Sequence, residues 1–175
     1  MPLQSLRLSI SLRAKLKRKT RQLIAKGFLL PVKSGDSSYD VGFCAHIQNL
    51  PARRGRPLIF GRPEGIRVFI QSGTFVIGVA DFLFAGKNLK LSHVVTGHSL
   101  KPILATLNSL EKKYVKDKIS RHVEFVQFLL SGDPYMLVKS PGRKEYYHSN
   151  SKRLKAISPE KILRQVNQIL AERDK

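Results

Sequence analysis

The sequence predicts an α+β domain in which an antiparallel sheet is flanked by helices. Three patterns lead to that fold class. From Gly65 the sequence takes on a period of two, and a long β-rich run follows at residues 74–84, as expected of strands. Two segments, residues 99–114 and 158–170, repeat apolar residues every three or four positions, as amphipathic helices do. Gly, Pro and Asp clusters separate the segments and mark turns. The expected order is helix, three-stranded meander, helix, hairpin and helix.

The first helix is predicted between two residues that favour helix ends. Ser11 is a suitable N-cap, and Gly27 is a suitable C-terminal stop. Leu12, Leu16 and Leu23 form an apolar stripe between them, and the other faces are basic. The first 35 residues carry nine Lys and Arg and no acid, so no Glu pairs with Lys along this helix. Residues 1–34 are therefore predicted to form a basic N-terminal helix or arm.

The meander is predicted from three β-rich runs. Strands are expected at residues 66–71, 74–84 and 89–94, with tight turns at Ser72-Gly73 and at residues 85–88. These strands follow one another closely in the chain, so neighbouring strands are expected to pair antiparallel.

Some residues of the central strand allow more than one interpretation. Gly78 indicates a bulge, a close backbone approach or a tolerated interior glycine. Phe75, Phe82 and Phe84 are expected in the core, although exposed aromatic rings on such a sheet would stack on unpaired bases.

The second hairpin is predicted after the middle helix. Residues 122–130 fit both a strand and a buried helix, and we favour the strand. A turn at Gly132-Asp133-Pro134 leads into Tyr135–Val138. Residues 139–155 are predicted to be a basic loop with tyrosines among its cations. Ser158-Pro159-Glu160 then starts the final helix.

These elements divide the chain into three parts. Residues 1–34 form the basic helix, and residues 35–65 form a loop region rich in Pro, Gly and Arg. Residues 66–175 form the α+β core domain, which carries the basic loop 139–155.

The charge balance indicates the class of partner. The chain has 32 Lys and Arg against 12 Asp and Glu, a formal net charge of +20. Such an excess repels itself unless a polyanion offsets it. Nucleic acid is the commonest such polyanion, and clustered cations bind it through counterion release.

The cysteine count, the N-terminal charge and the length of the apolar runs indicate the cellular compartment. Cys44 is the single cysteine, which excludes an internal disulfide and indicates a reducing, intracellular compartment such as cytoplasm or nucleoid. The acid-free, Arg-containing start is also typical of an organellar transit peptide. The longest apolar run, Phe75–Ala85, is interrupted by Asp81 and is too short for a membrane span.

The loop region contains the most specific motif. Pro51-Ala52-Arg53-Arg54-Gly55-Arg56-Pro57 resembles the AT-hook, a short module that binds the minor groove of A·T-rich DNA. The resemblance covers about seven residues. It implies that Arg54 and Arg56 insert into a narrow groove, which Gly55 lets the backbone approach because it lacks a Cβ. Pro57 would direct the chain away and Arg53 would contact a phosphate. A basic loop that contacts only phosphates is the alternative.

An enzyme is less favoured, and we expect no catalytic residues, metal or cofactor. The five histidines lack the i, i+2 or i, i+4 spacing of recurrent metal pairs. The acids are scattered singly. Two arrangements keep a nuclease or strand transferase open: His122 with Glu124 on one strand face, and Tyr146 or Tyr147 as a nucleophile near His148.

The favoured hypothesis is a non-catalytic DNA-binding accessory or architectural factor, acting alone or in a larger nucleoprotein complex. DNA is favoured over RNA because of the hook-like motif. The alternatives are an RNA-binding component of a ribosomal or organellar ribonucleoprotein, a nucleic-acid-processing enzyme, and a basic protein docked on an acidic protein or membrane surface. The expected nucleic-acid-binding residues are Arg13, Lys15, Lys17, Arg18, Lys19, Arg21, Arg53, Arg54, Gly55, Arg56, Pro57, Arg62, Arg143, Lys144, Tyr146, Tyr147, Lys152, Arg153 and Lys155.

The hook-like motif predicts a preference between DNA sequences that can be tested separately from overall affinity. Arg54→Ala combined with Arg56→Ala should remove any preference for A·T-rich over G·C-rich duplex DNA, because the two side chains would read a narrow groove. Competition titrations with the two duplexes measure this preference. Equal loss on both duplexes would show that the arginines contact only phosphates.

Overall fold

The computed structural model divides into two compact units. The meander unit comprises Ser5–Ala45 and Gly65–Lys101, and the hairpin unit comprises Met1–Gln4, His46–Glu64 and Pro102–Lys175. The structure describes residues 3–29, 39–50, 62–128, 135–149 and 154–173.

Within the described residues, nine strands assigned to one mostly antiparallel sheet and three α-helices confirm the α+β class. The elements in chain order are β1 (Leu3–Gln4), α1 (Ile10–Ala25), β2 (Tyr39–Leu50), β3 (Gly65–Ser72), β4 (Phe75–Ala85), β5 (Asn88–Thr96), α2 (Leu100–Tyr114), β6 (Arg121–Phe128), β7 (Tyr135–Ser140), β8 (Arg143–His148), β9 (Ala156–Ile157) and α3 (Pro159–Arg173). The sheet is larger than the predicted meander and hairpin because it also includes β1, β2, β8 and β9.

Helix α1 begins two residues earlier than predicted. Ser9 is the N-cap, and its Oγ accepts a hydrogen bond from the Leu12 amide at 3.3 Å, whereas Ser11 lies inside the helix. Gly27 ends the helix as expected, with a φ of 74°. The amides of Gly27 and Phe28 donate to the carbonyls of Ile24 and Leu23, which is the Schellman arrangement.

The core of the meander unit lies between α1 and one face of the sheet. Leu16 and Leu23 of α1 pack with apolar side chains of β3 and β4, among them Val68 and Phe82. The strands β3, β4 and β5 pair antiparallel in succession. They therefore give α1 a continuous apolar surface to cover.

Gly78 of β4 combines two of its predicted roles. The register between β3 and β4 shifts beside it, since Ile70 pairs with Gly78 and Gln71 with Val76. A Cβ at Gly78 would also overlap the buried side chain of Leu29. The glycine therefore makes room for the chain that follows α1.

Arg67 and Asp81 form a buried ion pair in the same unit. They are direct partners in the β3–β4 register, and each is 2 % exposed. Arg67 donates from Nε to Asp81 Oδ1 at 2.7 Å and from Nη2 to Oδ2 at 2.6 Å. Such bidentate pairs fix geometry as well as charge.

The hairpin unit is built around β6. Strand β7 pairs antiparallel with β6, β8 with β7, and β9 with β8. The residues of β1, and residues 46–50 of β2, pair parallel with β6. Ile162 and Val166 of α3 pack on Val126 and Leu137 to form its core.

The prediction of a basic loop at residues 139–155 is wrong for residues 139–140 and 143–148, which form strands, while residues 150–153 lie outside the described part of the chain. Residues up to Ser140 belong to β7, and Arg143–His148 form β8, joined by a turn at Pro141-Gly142. Gly142 has a φ of 72°, which suits this tight connection. Tyr146 and Tyr147 drive strand formation because both are buried.

The buried ion pair predicts that Asp81 contributes much more to the free energy of unfolding than the exposed Asp40 does. Asp81→Asn should lower the free energy of unfolding by about 3–5 kcal/mol because it leaves the buried Arg67 guanidinium without its counter-charge. Asp40→Asn is the matched control: Asp40 is 54 % exposed, and its pair with Lys17 should contribute only about 0–1 kcal/mol. Urea denaturation of both variants measures the difference. Equal losses would contradict the burial argument.

Candidate nucleic-acid interface

The packing of α1 determines which of its cations reach solvent. Leu16, Thr20 and Leu23 are buried on the core side of the helix. Arg18 and Arg21 lie on the opposite, exposed side. The flanks carry the exposed Arg13 and Lys15 and the half-buried Lys17 and Lys19, so cations surround the apolar stripe.

Among the described residues, the α1 cations make few contacts with other elements. Lys17 Nζ lies 2.9 Å from Oδ1 of Asp40, an acid outside the helix. The hydrogen bond from Lys17 lowers the pKa of Asp40 and outweighs the effect of burial. Arg13 Nη2 donates to the Val41 carbonyl at 3.3 Å, and Lys15 Nζ donates to the Lys87 carbonyl at 3.4 Å. Neither of the last two bonds neutralises a charge.

The described part of the meander unit contains two acids, Asp40 and Asp81, and both are paired with cations of that unit. In these residues, therefore, no carboxylate remains for the other cations of α1. The exposed cations of the unit without an ion pair to a described carboxylate are Arg7, Arg13, Lys15, Arg18, Arg21, Lys26, Lys87, Lys90 and Lys101.

The other predicted binding residues, apart from the two tyrosines, fall into two groups. Arg53, Arg54, Gly55, Arg56, Pro57, Lys152 and Arg153 lie outside the described residues. Arg62, Arg143, Lys144 and Lys155 are described and exposed. Arg143 and Lys144 open β8 in the hairpin unit, and Arg143 Nη2 lies 3.2 Å from Glu145 Oε1.

The predicted stacking tyrosines are buried. Tyr146 is 5 % and Tyr147 is 1 % exposed. Tyr147 Oη lies 2.7 Å from Tyr114 Oη, which donates to Glu145 Oε2 at 2.7 Å. Burial and these hydrogen bonds raise the pKa of Tyr114. Burial alone would raise the pKa of Glu145, but the Tyr114 hydrogen bond and neighbouring cations lower it. Both tyrosines thus support the hairpin unit, and their rings have no free face for a base.

Two phenylalanines that were expected in the core are exposed instead. Phe82 is buried, but Phe75 is 67 % and Phe84 is 43 % exposed. They occupy the two ends of β4, beyond the part of the strand that the core covers.

The hairpin unit contains a cluster of polar side chains around Glu124, of which the sequence analysis named only His122 and Glu124. Glu124 of β6 is 8 % exposed, and its Oε2 accepts from Gln48 Nε2 and lies near Lys139 Nζ, both at 2.6 Å. His46 Nδ1 lies 4.0 Å from Glu124 Oε1. His122 precedes Glu124 by two positions on β6, so both side chains lie on one face, as expected.

The environment of His46 in this group lowers the pKa of its imidazole. Burial lowers the pKa of His46, and the nearby Glu124 carboxylate offsets the change only in part. Gln48 is 4 % exposed, and its Oε1 accepts no hydrogen bond from the described residues. The signal that sequence reasoning missed is the parallel pairing of His46 with Glu124, which joins residues far apart in the chain.

Comparison with known proteins gives no relative: no family model, no curated protein and no solved structure matches the chain. Among the described residues, no three His, Cys, Asp or Glu side chains are grouped to hold a metal ion. The described helices include none that is long and apolar enough to cross a membrane. The geometry of the residues is therefore the basis for assigning a function.

The His46 environment predicts a pH dependence of stability. Because the pKa of His46 is lower in the folded chain than its ordinary 6.5, the unfolded chain binds the proton more readily. The free energy of unfolding should therefore fall as the pH drops below that ordinary value. His46→Gln should show a smaller fall than the wild type between about pH 7.5 and pH 5. Chemical denaturation at several pH values measures this, and identical curves for His46→Gln and wild type would contradict it.

Proposed function

We propose that the protein binds nucleic acid without catalysis, and that the exposed face of α1 contacts the phosphate backbone. The observation that supports this most is the charge of the meander unit: both acids in its described part are already paired, and the remaining cations face solvent. A polyanion is the partner that would neutralise such a surface most completely.

The structure of α1 favours binding over a simple solvated surface. Its apolar stripe anchors it on the sheet, so its cations are carried by a rigid element. Cations on a folded helix lose less backbone conformational entropy on meeting phosphates than cations on a disordered arm would. The contacts would be made to phosphates, which supply affinity and position but no sequence information.

The choice of DNA over RNA rests on the hook-like segment, which lies outside the described residues. The α1 surface alone suits either polymer because both present closely spaced phosphates. DNA binding as an accessory factor remains our proposal, with the RNA-binding component as the alternative.

A nucleic-acid-processing enzyme is the second candidate, and the Glu124 group favours it. Glu124, His46 and His122 share one sheet face, and a carboxylate beside imidazoles can move protons. Incubation of labelled RNA and DNA with the protein, with and without divalent metal, tests this function. Cleavage that Glu124→Gln abolishes would support it, and intact substrates under both conditions would contradict it.

The α1 surface predicts a defined loss of affinity. Lys15→Gln, Arg18→Gln and Arg21→Gln together should weaken binding to all nucleic acids, because they remove phosphate contacts. The slope of log K against log salt should become shallower by roughly 2–3 for duplex DNA. Anisotropy titrations over a range of salt concentrations measure both quantities.

The control removes the same charge elsewhere. Lys112→Gln, Lys161→Gln and Arg164→Gln change exposed cations of α2 and α3 in the hairpin unit. This variant should keep most of the affinity and slope. If both triple variants lose affinity equally, net charge and not α1 determines binding, and the proposed interface is wrong.

A further inference from the structure

A small pocket lies beside the exposed ring of Phe84 in the meander unit. Its volume is about 160 Å³, and it lies between the first turns of α1 and the β4–β5 turn. Its lining includes Lys15, Phe84, Gly86, Lys87, Asn88 and Leu89. A phenylalanine, two lysines and an asparagine thus line one opening.

The fold explains why Phe84 is open to solvent. Phe84 lies two residues after Phe82, so its side chain extends from the same face of β4 that packs against α1. Its partner in the register is Leu89 of β5, which is buried. Helix α1 covers Leu89 and Phe82 but leaves Phe84 43 % exposed.

A hydrogen bond joins the α1 side of the pocket to its β4–β5 side. Lys15 Nζ donates to the Lys87 carbonyl at 3.4 Å, so the α1 lysine reaches the β4–β5 turn. Gly86 forms that turn with a φ of 59°, and no atom beyond its chain neighbours lies within 4 Å of where its Cβ would be. The space beside Gly86 is therefore open.

We infer that this pocket binds a single unpaired nucleobase, which stacks on Phe84 while Lys15 and Lys87 contact the adjoining phosphates. The inference rests on the proposed function and narrows its ligand to single-stranded nucleic acid. In a duplex the base faces are covered by neighbouring base pairs, so only an unpaired base can present a face to the ring. The Asn88 carboxamide can donate to and accept from a base edge.

The ligand class follows from the combination of groups. A ring alone would suit many apolar ligands, and lysines alone would suit any anion. A phenylalanine and two lysines that line one pocket match a nucleotide, in which a planar base and a phosphate are joined at short distance.

The first experiment measures stacking directly. The chain contains no Trp, so Phe84→Trp introduces a single indole fluorophore at the pocket, and Phe75→Trp places one at the other end of β4 as a control. Titration with an oligothymidylate should strongly quench the indole fluorescence of the Phe84→Trp variant and leave that of the Phe75→Trp variant largely unchanged. Equal quenching in the two variants, or no quenching in Phe84→Trp while the strand binds, would overturn the inference.

The second experiment measures affinity. Phe84→Ala should weaken oligothymidylate binding roughly fivefold to a hundredfold with an unchanged salt slope, because the variant removes stacking and not charge. Phe84→Tyr should restore binding, and Phe75→Ala should leave it intact. Binding of an abasic strand with the same phosphates should not change in Phe84→Ala.

The outcomes separate this inference from the proposed function. If the wild type binds oligothymidylate and Phe84→Ala binds it equally well, the pocket is not a base site and the α1 proposal stands. If the wild type binds duplex DNA at low salt but not the oligothymidylate, the inference also fails and the α1 proposal stands. If the wild type binds neither the duplex nor the oligothymidylate at low salt, the proposed function itself fails.

Discussion

The packing of the α1 stripe on the sheet is the constraint on which the charged surface depends. Burying a leucine contributes about 1.5–3 kcal/mol, so Leu16 and Leu23 fix the rotation of the helix about its axis. Once that rotation is fixed, the cations at the other positions must face solvent or the edges of the sheet. The Schellman ending at Gly27 then turns the chain so that Leu29 can fill the space that Gly78 leaves. Core packing and surface charge are therefore two results of one helix orientation.

Local signals in the sequence predicted most of the elements. The apolar spacing of α1 and the glycine at its end located the helix within two residues at its start, where Ser9 and Ser11 are both suitable caps. The class of the sheet followed from period-two alternation. The loop prediction was wrong at residues 143–148 because the charged residues Arg143, Lys144 and Glu145 are typical of loops. The segment forms strand β8 because Tyr146 and Tyr147 are buried. Tertiary contacts overrode composition there.

The candidate sites depended on features that a single sequence does not reveal. Parallel pairing places His46 beside Glu124, although the two residues lie on strands that are far apart in the chain. No periodicity within either strand indicates that pairing. Likewise, Phe84 has the pattern of a core residue, and it is exposed only because α1 covers the sheet no farther than Leu89. The cations of α1 were predictable by type and position, and the structure added which of them are paired.

Chemical footprinting of lysines tests the central claim most directly. Acetylation rates of individual lysines would be compared with and without a mixed-sequence oligonucleotide at low salt. The account predicts slower acetylation of Lys15, Lys19 and Lys87 in the meander unit and unchanged rates at Lys112 and Lys161 in the hairpin unit. Protection confined to the hairpin unit, or no protection at any lysine, would contradict the assignment of α1 as the nucleic-acid interface.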